Sequence, residues 1–129
     1  MPKKTNKLAK EQIQERINYF TERVFYWQRT LGFLEVQVTV SWQNKEGVRA
    51  SWYDNISGGA ISIWYSKDWI KNPTVFLEDI DRTAFHEVYE SQFYKMRHYL
   101  QERLSEEFIE ELMHNITRRA ENTIFLKLR

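Results

Sequence analysis

The apolar residues of this chain change period twice, and this restricts the fold more than any other feature. Ile13, Ile17, Phe20, Val24, Trp27 and Leu31 recur at three- and four-residue steps, the spacing of one face of a helix. The reading is a helix over Glu11 to Thr30, stopped by Gly32, because glycine is the favoured residue just past a helix end. The period then falls to two. Leu34, Val36, Val38, Val40 and Trp42 alternate with Glu35, Gln37, Thr39 and Ser41, which predicts a strand with one buried face.

Asn44 to Gly47 supplies a turn, and Val48 to Tyr53 is expected to return as a hairpin partner. Asp54 to Gly59 forms a looser turn before a third strand, Ala60 to Tyr65. Ser66 to Thr74, with Pro73, is irregular or holds one helical turn. Helical period resumes from Leu77 to about Leu100, where Leu77, Ile80, Ala84 and Val88 make an apolar stripe. A last helix runs from about Ser105 to Ile124, with its own stripe at Ile109, Met113, Ile116 and Ala120. The expected fold class is α+β: an N-terminal helix, a small antiparallel three-stranded sheet, then two helices.

The chain has 129 residues, of which 42% are hydrophobic and 16% aromatic, enough for a core in one domain. Residues 1–10 are expected to be a flexible, solvated end, Lys3, Lys4, Lys7 and Lys10 included. With 19 basic and 18 acidic residues the chain lacks the basic excess of a nucleic-acid binder. No apolar run reaches the ~18 residues of a membrane span, and the N-terminus reads as no signal peptide. Cysteine is absent, so disulfides and thiolate metal sites are excluded and a cytoplasmic setting is the simpler expectation.

The chemistry concentrates in His86-Glu87-Val88-Tyr89-Glu90. His86 and Glu90 are one helical turn apart and share a face. That face is well over a right angle from the Leu77, Ala84 and Val88 stripe, so it is expected to look away from the sheet toward the last helix. There His114 lies beside the apolar stripe, flanked by Glu110 and Glu121. Buried charge must be paired or bound to metal, and imidazole with carboxylate is a zinc ligand set. His86, Glu90 and His114 are the expected ligands, with Glu110 and Glu121 as alternatives for the third position. Glu87, a quarter-turn from His86, stands where a general base for a metal-activated water belongs.

Thr83-Ala84-Phe85-His86-Glu87-Val88, Glu90, and the later Arg118-Arg119-Ala120-Glu121-Asn122-Thr123-Ile124-Phe125 resemble a group of short phage-encoded, zincin-like metallopeptidases. Ala60 to Ile63 and Ser66 to Trp69 extend the likeness, which covers roughly residues 34 to 125. The resemblance implies a zincin-like fold and a Zn²⁺ cofactor. Its motif helix would supply His86 as ligand, Glu87 as base and position 90 as second ligand, with the third ligand, His114, from the downstream helix. It also implies a peptide or protein as substrate or partner, and the host bacterial cytoplasm as setting. Glu90 stands where the zincin motif has histidine, a change expected to weaken Lewis acidity and to favour harder cations. A catalytically inactive domain of this type, binding a host or phage protein, is the alternative.

Two expectations concern the surroundings. Strand Ala60 to Tyr65 is read as a sheet edge to which an extended peptide could add, with Trp64, Tyr65 and Trp69 along the groove. His98 is read as a surface residue, and Arg118 and Arg119 as solvated or paired with Glu110 and Glu121.

Overall fold

The computed structural model describes residues 7–55 and 59–129. The remainder of the expected flexible end, and the middle of the turn before the third strand, lie outside the described residues. The elements are α1 (Lys10–Thr30), β1 (Gln37–Gln43), β2 (Ala50–Asn55), β3 (Ala60–Ser66), α2 (Lys67–Ile70), α3 (Leu77–Ser91), α4 (Tyr94–Gln101) and α5 (Glu106–Ala120). A π-helical turn (Glu121–Phe125) and a last short helix, α6 (Leu126–Leu128), close the chain. The fold class is α+β, as expected.

Gly32, at φ 71°, ends α1 as the sequence predicts. The Phe33 N–H donates to the Gln28 carbonyl at 2.9 Å and the Gly32 N–H to that of Arg29 at 3.1 Å, which satisfies two carbonyls of the last turn. Phe20, Val24 and Trp27 on α1 are fully buried, as are Ile80, Ala84, Phe85 and Val88 on α3. Trp27 and Phe85 meet edge to face, 4.9 Å between centroids. Asp81 of α3 ties the two helices: it accepts from Arg23 Nε at 2.8 Å and from Trp27 Nε1 at 2.7 Å. A buried carboxylate is tolerated only with such partners, and these fix α3 on α1.

The sheet differs from the expected antiparallel meander. It is mixed, in the order β1-β3-β2, with β1 parallel and β2 antiparallel to β3. The anticipated β1–β2 hairpin is not formed. β3 is the most buried strand, with Ile61, Ile63 and Tyr65 all in the core. A strand so buried needs hydrogen bonds on both edges, so it takes the centre. β1 and β2, more exposed, flank it. β3 is thus no edge for an added peptide, which corrects that expectation, and the edge strand that packs against α3 is β2. Tyr65 turns into the core against Phe20, 5.6 Å away. Trp64 points to the other face and stacks on Tyr53 at 6.2 Å.

The helical segment expected to run unbroken to Leu100 bends at Gln92 and Phe93, where α3 gives way to α4. Ser91 Oγ donates to the Val88 carbonyl at 2.9 Å, a back-bond that bends helices. Phe93 leaves helical geometry at φ −90°, ψ 16°. The bend brings Arg97, His98 and Gln101 onto the same groove as His86. No helix among the described residues is long and apolar enough to cross a membrane.

Candidate metal centre

Register places the site. Residues paired across neighbouring strands share a face, and Trp52 pairs with Ile63 and Asp54 with Ile61. Ile61 and Ile63 face the helices, so Trp52 and Asp54 do too. They form one wall of a groove of about 1120 Å³ whose other lining includes His86, Glu87, Glu90, Arg97, His98 and His114. Neither Trp64 nor Tyr65 lines it, so the two residues expected to contact substrate stand elsewhere.

The structure brings the three expected ligands together. His86 Nε2 lies 3.2 Å from Glu90 Oε2, and His114 Nδ1 lies 3.3 Å from the same oxygen. The two imidazole rings are 5.7 Å apart, and one donor atom from each residue fits within 4.8 Å of the others. Ligands about 2.0–2.1 Å from a tetrahedral zinc stand about 3.3 Å from one another, so two of the three separations suit that ion. Glu90 Oε2 is buried yet has no hydrogen-bond partner among the described residues. Buried polar atoms are rarely left so, and a cation accepted by this oxygen and both imidazoles would remove the anomaly.

Glu121, an alternative third ligand in the sequence reading, has a different place. Its Oε1 is 2.6 Å from His86 Nδ1. The π-helical turn that begins at Glu121 follows directly on α5 and carries this carboxylate to the far side of the imidazole. A histidine that donates Nδ1–H to a carboxylate has its Nε2 lone pair oriented and made more basic, the usual support of a metal-binding histidine. Glu110, the other alternative, pairs with Arg97 at 3.5 Å. Arg118 and Arg119 are exposed, and their expected acidic partners are engaged elsewhere.

Glu90 also departs from the expectation that its face avoids the sheet, for its Oε1 accepts from Trp52 Nε1 of β2 at 3.1 Å. His98, read as a surface residue, is half-buried, with Nε2 at 2.6 Å from Asp54 Oδ2. Both contacts join residues about forty apart in sequence, and no local pattern signals them.

The electrostatics are those of a closely coupled acidic pocket. Burial pushes the His86 pKa down, but the hydrogen bond to Glu121, the adjoining Glu90 carboxylate and the charge of Glu87 outweigh it, raising it to about 10. Burial pushes Glu87 up to about 8; His86 opposes this, and Glu90 and Glu121 add to it. Glu90 is raised by burial but lowered more by the adjoining His86 imidazole and the Trp52 hydrogen bond, ending below its ordinary value.

The metal-free protein is expected to lose stability as pH rises. His86 binds its proton more tightly when folded (about 10, against an ordinary 6.5), so its contribution is full below pH 6.5 and lost through pH 10. Glu87, moved from 4.5 to about 8, acts in the same direction, its share lost between those values. With the unfolded chain binding fewer protons, stability must fall with pH. Melting of the metal-free protein should drop by at least several degrees between pH 6.5 and 8.5, since each 1 kcal/mol lost lowers it by roughly 3–6 °C in a domain of this size. A flat or rising profile would contradict the proton placement.

The chain matches no family model, no curated protein and no solved structure.

Proposed function

We propose that this protein is a small zincin-like metal-dependent hydrolase acting on peptide bonds, of the phage-encoded kind its motif resembles. His86, Glu90 and His114 would hold a zinc ion. The observation that carries this reading is a buried Glu90 oxygen that accepts no hydrogen bond among the described residues yet lies within 3.2 and 3.3 Å of two imidazole nitrogens. Zinc bound there would bring Lewis acidity and a water of lowered pKa.

The remaining work falls to the chain itself. Glu87 is buried beside the ligands and lines the groove; burial lifts its pKa to about 8 in the metal-free pocket, and a dication beside it would favour the ionised form, which can take a proton from the attacking water and return it to the leaving amine. Glu121 holds the His86 ring in place. The groove runs along β2, which among the described residues pairs only with β3. Its outer edge offers backbone groups to an extended peptide, the recognition mode known as strand addition.

The test is incubation of zinc-loaded protein with an unfolded protein such as denatured casein, with new termini read by mass spectrometry. Cleavage is expected, abolished by a chelator and restored by zinc. Zinc-loaded protein that cleaves nothing would leave the alternative: the same fold serving as a non-catalytic binding domain.

A further inference from the structure

The two oxygens of Glu90 have different surroundings. Oε1 accepts a hydrogen bond from the Trp52 indole at 3.1 Å. Oε2, facing His86 Nε2 and His114 Nδ1, accepts none among the described residues. A carboxylate can ligate through one oxygen or both, and the choice changes the coordination number. Two-oxygen ligation would turn Oε1 toward the metal and strip the half-buried indole N–H of its acceptor, which is costly for a buried donor.

We infer that Trp52 is a positioning residue that holds Glu90 to one-oxygen ligation and so sets the metal preference of the site. The inference rests on the metal-binding reading above. Three single-atom ligands leave a four-coordinate site with one open position, which suits zinc or cobalt. Larger oxygen-seeking cations, which favour six or more ligands, gain little there. Substitution of glutamate for the motif's second histidine therefore does not turn this site toward hard cations. Strand pairing makes the device rigid, since Trp52 is fixed opposite Ile63 in the sheet.

Cobalt(II) loading of the wild-type protein and of Trp52→Phe tests the inference, together with competition titrations of zinc against manganese. Phenylalanine keeps an aromatic ring but removes the pyrrole part of the indole together with its donor, so the melting temperature of the metal-free variant is read alongside. The wild type should give the intense visible bands of four-coordinate cobalt. Trp52→Phe should weaken them and narrow the zinc-to-manganese affinity ratio about tenfold, the lower end for loss of a ligand's supporting hydrogen bond. If the variant folds and leaves both spectrum and ratio unchanged, the inference is overturned while the metal site stands. Should the variant not fold, the wild-type spectrum decides: weak bands of higher coordination overturn the inference, intense ones support it. A wild-type protein that takes up no cobalt overturns the inference together with the metal site itself.

Discussion

Glu87→Gln is expected to cut peptide hydrolysis by about 10²- to 10⁴-fold, the usual worth of a positioned general base, with metal content and fold unchanged. The amide has the shape of the carboxylic acid but cannot accept the proton. Glu87 is no expected ligand, so the ion should be held as before. Because burial favours the neutral form of this side chain, the variant should also be no less stable than wild type, and more stable at pH 9. Steady-state hydrolysis, metal analysis and thermal melts at pH 6 and pH 9 provide the checks. Full activity in Glu87→Gln would remove Glu87 from the chemistry. Lost activity with lost metal would make it a ligand rather than a base.

His86→Ala should have the largest effect on the molecule as a whole. The imidazole stands between Glu121 at 2.6 Å and Glu90 at 3.2 Å, with Glu87 next to it in the chain. Removing it deletes a proposed ligand and leaves three acidic groups crowded together without their shared partner. Breaking a buried ion pair by removing one partner costs roughly 3–5 kcal/mol, and this imidazole, 23% exposed, belongs near the lower figure. His114→Ala is the control. At 49% exposure its loss should abolish metal binding with little change in the stability of the metal-free fold. Urea denaturation of both metal-free variants separates these outcomes, and equal destabilisation by the two would contradict the roles assigned.

Much of this was legible in the sequence, because periodicity is a local signal. The 3.6-residue repeat through Trp27, the stop at Gly32 and the alternation through Val38 and Val40 place their elements correctly. The spacing of His86 and Glu90 places both on one wall, and His114 arrives opposite them. What periodicity does not encode is which strands pair. The alternation of β2 is the same whether β1 or β3 lies beside it. Yet that choice decides that Trp52 and Asp54 face the helices, and with it the contacts to Glu90 and His98. The bend at Phe93 and the π-helical turn at Glu121 escaped for a related reason. Each is a small departure from helical geometry imposed by packing, not by local composition. The near-continuous apolar run of β3, Ala60, Ile61, Ile63, Trp64 and Tyr65, is the sequence hint that it lies at the centre.

The most direct measurement is native mass spectrometry of the intact chain after exposure to equimolar zinc and removal of free ion. One zinc per chain, lost when residue 86 is changed to alanine, is the predicted result. A chain that stays metal-free at neutral pH, or an alanine variant that retains the ion as tightly as wild type, would contradict the central claim that His86, Glu90 and His114 form a metal centre.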